Sequence, residues 1–398
     1  MINFEYIFEK LLEVFPLLAT SFIIVLILTP VVAKIAKYLK AIDIPKFAKR
    51  RIKITGKKDK TLKSRPRLGG LAIYIAFIVL MFFINGFTVY SISIGIGLTI
   101  LMIVGLIDDI KDLNGGIQMT FQVLAVMVIV LGGIRITSIH IFGHSFSFDA
   151  YTLSLPFWEG LIKVVFPADI ITIIWFIVII NSMNWVAGID ALEETMSVVA
   201  GATLMLLSIR FGKDDMLAQT AIFTGAVLGF WVFNFPPAYI IGGTIGNTIL
   251  GILLGIFAIK IDGKMTTSIL LLALPIIDFI WVLVGRLIKY KQFNPWKLMN
   301  ISGEHHFHHR LMKLGFTVKQ VLLIEISIFS LFALAAYYFA GFNILAIIVF
   351  AAIVALLLFF ALLTFLRVKR VNVQESEKDK GGVEPSEVKK SPESVYAY

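Results

Sequence analysis

The stretch "VGLIDDIKDLNGG", Val104 to Gly116, closes an apolar run over 90–107 and sets Asp108 and Asp109 side by side, with Asp112 three positions on. Adjacent carboxylates repel each other and resist burial, so this water boundary must either solvate them or bind them. Working outward, the same alternation of long apolar runs and short polar breaks covers most of the 398 residues, of which 58% are hydrophobic and 16% charged. That composition belongs to integral membrane proteins. Crossing the bilayer core takes about 20 mostly apolar residues per helix. Eleven runs qualify, at 15–34, 68–85, 90–107, 117–133, 169–186, 196–211, 217–234, 238–259, 266–286, 321–340 and 344–366. The fold class expected is an all-α polytopic membrane protein with about eleven transmembrane helices, one domain over 1–372 and a disordered tail over 373–398. With no cysteine in the chain, disulfide and thiol chemistry are excluded.

Eleven spans place the termini on opposite faces. The face carrying loops 34–67, 108–116, 187–195, 235–237, 287–320 and the tail from Arg367 collects 28 of the 36 Lys and Arg. Cytoplasmic loops carry that excess, so the N-terminus is expected outside and the C-terminus inside. Glu5, Glu9 and Glu13 surround a single Lys10, unlike the basic start of a cleaved signal peptide, so the first span is expected to persist as a helix. The basic loop "KFAKRRIKITGKKDKTLKSRPR" sets topology and meets anionic headgroups; it could also attract a polyanionic substrate. In the external loop 134–168, "IRITSIHIFGHSFSF" partly alternates around a glycine and predicts one short hairpin.

The inner face also gathers Asp108, Asp109, Asp112, Asp190, Asn181, Asn184, Asn234 and the imidazoles His305, His306, His308 and His309. Such a one-sided collection predicts a site open to the cytosol, with a substrate partly in the membrane. Carboxylates and water suit Mg²⁺, which shares its ligands with substrate phosphates. Alone, the aspartates read equally as solvated helix ends. The histidines fit a solvated loop, a transition-metal site or phosphate donors; the lack of cysteine and the adjacent Arg310 favour phosphate over zinc. Pro66 would end the basic loop, Gly69 and Gly70 would let helices pack closely, and "NFPPA" reads as a helix break. Few ionisable residues lie deep in spans, which weakens a transporter reading. Asp278 is the main exception, with Arg286 or a neighbouring helix as the expected partner.

In order along the chain, "RPRLGGLAI", "GLIDDIKDL" with Gln122 downstream, "NSMNWVAGIDAL", "NFPPAYIIGGTIGNTILG", "LPIIDFIWVLVGRL" and "HHFHHRLMKLGF" resemble the polyprenyl-phosphate N-acetylhexosamine-1-phosphate transferases, from about Thr29 to Leu366. The resemblance implies a multi-pass protein of the bacterial plasma membrane. It implies transfer of a sugar 1-phosphate from a UDP-N-acetylhexosamine to undecaprenyl phosphate, release of UMP and a need for Mg²⁺, at the start of peptidoglycan, O-antigen or teichoic acid linkage synthesis. It assigns Asp108 and Asp109 to catalysis or metal binding, and Asp190 to metal or nucleotide binding. Asn181, Asn184, Arg67, His306, His308, His309 and Arg310 become substrate-binding residues. A homodimer is compatible with it, and nucleic acid is not among the expected partners.

Several positions depart from the family's pattern. Ala187 stands where an aspartate is usual, Ala191 replaces a glycine, and Thr244 replaces the aspartate of a G-D-x-G-S segment, here Gly243 to Asn247. Gly116 replaces a common lysine and Glu304 a common arginine. Losing two carboxylates removes attractions worth on the order of a few kcal/mol each at an effective dielectric near 20. Two expectations follow: a working transferase whose ion is held by Asp108, Asp109, Asp112 and Asp190, or a silent relative that binds polyprenyl phosphate or nucleotide, or scaffolds an envelope-synthesis complex.

Overall fold

The computed structural model describes residues 4–43, 64–141, 144–157, 160–262, 265–291, 293–294, 298 and 306–340. The expected run at 344–366, the tail and most of the basic loop lie outside them. The described chain is largely helical, and each of the first ten apolar runs coincides with helix. Among the described residues, seven helices are long and apolar enough to cross a membrane. They are α1 (Phe4–Tyr38), α3 (Val89–Lys111), α5 (Ala168–Val186), α6 (Leu192–Arg210), α7 (Asp214–Asn234), α8 (Gly243–Asp262) and α12 (Val318–Phe339). Two shorter apolar helices, α2 (Gly69–Asn85) and α4 (Gly115–Leu131), are 17 residues each.

The ninth run is not one helix. It breaks at Leu272 into α9 (Met265–Leu271) and α10 (Ala273–Tyr290), with Pro275 in the first turn of α10. Proline has no N–H to give the preceding turn and is tolerated near a helix start, so the run divides there. A further short helix, α11 (Phe307–Lys313), carries His308 and His309, with His306 just before its first residue; His305 lies outside the described residues. Among the described residues, the segment 134–168, expected to lie outside, holds two hairpins rather than one. Strands β3 (Ser138–Ile141) and β4 (His144–Ser147) pair antiparallel, as do β5 (Tyr151–Phe157) and β6 (Gly160–Phe166).

Burial sorts the helices by their neighbours. In α8, 83% of the apolar window is enclosed by other helices; in α1 only 17% is. Along α1 the side chains of Ile23, Ile27, Val31 and Ile35 are exposed at every fourth residue, a stripe suited to lipid. Its opposite side packs on α7, where a Cβ on Gly229 would lie 2.6 Å from the Phe22 carbonyl. Small residues bring backbones together where apolar burial gives no advantage over lipid. Gly69 and Gly70 do the same at α8, with their N–H groups donating to Ile241 and Gly242 at 3.0 and 2.8 Å. Two-residue strands β1 (Ile42–Asp43) and β2 (Arg65–Pro66) pair antiparallel and pin the two ends of the basic loop.

Candidate active site

The last turn of α3 carries the aspartate pair inward, and both side chains are buried. The Oδ1 of Asp109 accepts the Thr244 N–H at 2.9 Å and lies 3.1 Å from Arg67 Nε. Its Oδ2 is buried with no hydrogen-bond partner and faces Gly243, whose φ is +71° and where a Cβ would overlap that oxygen. Asp108 is fully engaged. The Thr244 hydroxyl donates to its Oδ2, and its Oδ1 accepts Leu113 N–H at 2.6 Å and Gln118 Nε2 at 2.8 Å. The pair thus meets the N-terminus of α8, where unpaired N–H groups and the helix dipole favour negative charge. Arg67 also reaches Asp112 Oδ1 at 3.1 Å. Burial opposes the charge on Arg67, but the carboxylates of Asp109, Asp43, Asp112 and Asp108 outweigh it and its pKa is raised.

Asp190 has other company. The Arg65 guanidinium meets both its oxygens at 2.5 Å, and Ala238 N–H donates to Oδ2 at 3.2 Å. Among the described residues no group of three or more acidic or histidine side chains could share a metal ion. Asp190 and Asp112, expected to join the aspartate pair on one ion, are each met by an arginine here. Asp190 ties the Arg65 segment to the break after α7. At that break Asn234 accepts Ala191 N–H at 2.6 Å and donates to the Ile240 carbonyl at 2.9 Å.

Between α4 and the end of α5 lies a polar cleft of about 250 Å³ lined by Leu113, Gly115, Gln118, Gln122, Asn181, Asn184 and Trp185. Asn181 donates to Gln122 Oε1 at 3.0 Å. Asn184 lies 2.9 Å from the Asn247 amide which, turned about, reaches Glu193 Oε2 at 2.8 Å. A line of amides thus runs from the cleft to a buried carboxylate, and Gln118 joins the cleft to Asp108. Ala187, at the end of α5, adds no charge.

The histidines pack against one another. His306 and His308 are parallel at 5.6 Å between ring centres, and His308 lies 4.3 Å from His309. His308 is 1% exposed, its Nε2 has no partner, and it faces Gly188, where a Cβ would overlap the ring. Burial, then the imidazoles of His309 and His306, hold its pKa well below the usual histidine value. His308 is thus neutral and enclosed in this structure. Arg310 stacks over Trp281 at 4.9 Å. Asp278 pairs with His306 Nδ1 at 2.8 Å and accepts Phe307 N–H at 2.8 Å. The expected Asp278–Arg286 pair does not form, because Arg286 lies over Trp185 at 4.2 Å.

Sequence reasoning overlooked Arg65, Gln118, Trp185 and the donor role of Thr244. Arg65 stands two residues before Arg67 in a strand, and Gln118 four before Gln122 on one helix face. Both signals were readable as patterns; that a threonine faces an aspartate pair was not.

These contacts describe a polytopic membrane protein in which acids, arginines, amides and imidazoles from five helix ends converge on one side. Residues 91–262 match the profile of glycosyl transferase family 4. The chain is 26% identical over 335 residues to a probable undecaprenyl-phosphate N-acetylglucosaminyl 1-phosphate transferase of Bacillus subtilis, covering 82% of this chain and 85% of that protein. It is 25% identical over 333 residues to the undecaprenyl-phosphate alpha-N-acetylglucosaminyl 1-phosphate transferase of Escherichia coli O157:H7, covering 79% and 78%. It is 27% identical over 219 residues to a phospho-N-acetylmuramoyl-pentapeptide-transferase of Streptococcus uberis, covering 52% and 62%. The profile match and these relatives support glycosyl transferase family 4 as the family this chain resembles.

Proposed function

We propose that the chain transfers an N-acetylhexosamine 1-phosphate from a UDP-sugar to undecaprenyl phosphate and releases UMP, at the cytosolic face of a bacterial plasma membrane. The observation that carries this reading is Asp109: a buried carboxylate steered by Arg67 and the start of α8, with Oδ2 unpartnered, next to Asp108, which Gln118 links to a polar cleft. The names of the relatives support the reaction class. An oxygen of the lipid phosphate attacks the sugar-bearing phosphorus, the bond to the α-phosphate breaks, and UMP leaves. A phosphate monoester is largely ionised at pH 7, so neutralising charge outweighs removing a proton.

Magnesium is part of this proposal. An unpartnered buried carboxylate oxygen, with Asp108 next to it, fits a hard cation that commonly takes one or two protein carboxylates and completes its shell with substrate phosphates. Held there, it would offset the repulsion between two anions and stabilise charge on the leaving phosphate. The chain's own residues do the remaining work. Arg67 aims Asp109, while Asn181, Asn184 and the glutamines offer hydrogen bonds to a nucleotide. Asp190 holds Arg65, and His306, His309 and Arg310 lie where a phosphate could be met.

One observation favours the second reading, a silent binder of polyprenyl phosphate or nucleotide: protein donors occupy both oxygens of Asp108, and Ala187 supplies no replacement. The purified chain is incubated with undecaprenyl phosphate and either UDP-GlcNAc or UDP-MurNAc-pentapeptide, with and without Mg²⁺. Magnesium-dependent UMP release establishes the first reading. Nucleotide binding without UMP above a membrane blank establishes the second.

A further inference from the structure

The geometry points to Asp278 as a positioning residue that fixes the tautomer of His306 and docks the histidine helix beside the cleft. Its carboxylate makes two contacts with one short segment: Oδ2 with His306 Nδ1 and Oδ1 with Phe307 N–H, each at 2.8 Å. An ionised carboxylate has only acceptors, and a backbone N–H can only donate. His306 must therefore carry its proton on Nδ1, which leaves Nε2 as the ring's other polar atom. The neighbours make this ring part of the site. Its edge meets the Trp185 indole at 5.5 Å, Trp185 lines the cleft, and Trp185 in turn rests on Phe279 at 4.7 Å and under Arg286. Asp278 and Phe279 are consecutive on α10, so one turn of that helix sets both His306 and the cleft wall. Other charged or titratable groups facing the dyad are His308, His309 and Arg310 on α11, Arg286 on α10 and the buried Glu325 on α12.

Asparagine tests this sharply. It has one acceptor and one donor group; Phe307 N–H claims the acceptor, so the amide N–H₂ faces His306 Nδ1. Asp278→Asn should thus reverse the ring to the Nε2–H tautomer without changing side-chain size. The full-length chain is labelled with ¹⁵N-histidine, and His306 is assigned with His306→Gln. Its ring nitrogens are read at pH 8 in wild type and Asp278→Asn, next to melting temperature and kcat for UMP release. The expected result is Nδ1–H in the wild type, Nε2–H in the variant, nearly equal melting, and a fall in kcat of about tenfold or more. The catalytic consequence alone rests on the proposed transferase reading. If the wild type releases no UMP, that reading fails, and the nitrogen signals still decide the role of Asp278. An unchanged tautomer in the variant overturns the inference, as does a reversed tautomer with unchanged kcat in an active enzyme.

Discussion

The aspartate end and the histidine end of the site are built on opposite plans. Asp108 and Asp109 grow from a 23-residue helix and are gripped by the start of a 20-residue one, with backbone N–H, hydroxyl and guanidinium donors on three of their four oxygens. His308 and His309 sit on a seven-residue helix and His306 just before it, the start fastened by one carboxylate and the rings enclosed by aromatic side chains and a glycine. Charge is held in place at the first end and kept low at the second. A preorganised carboxylate of this kind suits a cation, whereas the short helix at the other end encloses a neutral His308 and holds no comparable fixed charge.

Removing the charge at the first end should have the largest effect. Asp109→Asn keeps size and the Thr244 contact but loses the open carboxylate oxygen. UMP release should fall by roughly two to three orders of magnitude while the protein stays monodisperse in detergent. Full turnover in that variant would remove Asp109 from the reaction.

Restoring the family's usual residue sharpens the same point. Thr244→Asp deletes the hydroxyl donor to Asp108 and sets a third carboxylate against the pair. Without metal the melting temperature should drop by several degrees, corresponding to about 2 kcal/mol. Magnesium should recover that loss in the variant by binding only the folded form, and shift the wild type far less. A variant that melts like the wild type with EDTA would mean Asp108 does not need the threonine.

Much of this contrast was readable in the sequence, and the gaps have physical reasons. Long apolar runs write helices plainly, so their positions could be read, although the division at Leu272 depended on one proline inside a run that hydropathy alone would leave whole. The aspartate pair, the asparagines and the histidines were visible as residue types. Which acid met which cation was not, because Arg65 and Asp190 are 125 positions apart and only the tertiary fold pairs them. Asp278 was singled out for lying in an apolar helix, with Arg286 or a neighbouring helix as its expected partner, and only the fold decides between them. The actual partner stands just before another helix, 28 residues away.

The histidine end should reveal itself through pH. His308 is neutral in the folded chain because its pKa is depressed, while an unfolded histidine titrates near 6.5. Above that value neither state carries the proton and the stability contribution is complete. As pH falls below it the unfolded chain binds the proton and the folded chain does not, so stability is lost at up to about 1.4 kcal/mol per pH unit. Melting curves between pH 7.5 and 5.5 should show this loss, and His308→Gln should flatten it. A wild-type curve level across that interval would mean that His308 is open to water.

The smallest effect belongs to the loop that joins the two ends. Ala191 lies between Gly188, which touches His308, and Asn234, which closes the break after α7. It stands where the family pattern has glycine and still adopts φ +63°. A left-handed conformation costs a residue with a Cβ about 1–2 kcal/mol. Against that, Ala191 is buried, and losing its methyl gives back about 0.8 kcal/mol. Glycine also gains freedom in the unfolded chain, which trims the gain further. Ala191→Gly should therefore stabilise the protein by roughly 0.5 kcal/mol or less, a rise in melting temperature of about 1 °C at most. A fall of several degrees instead would show that the alanine methyl holds the two halves of the site in register, and that the departure from glycine is a packing contact rather than a strained remnant.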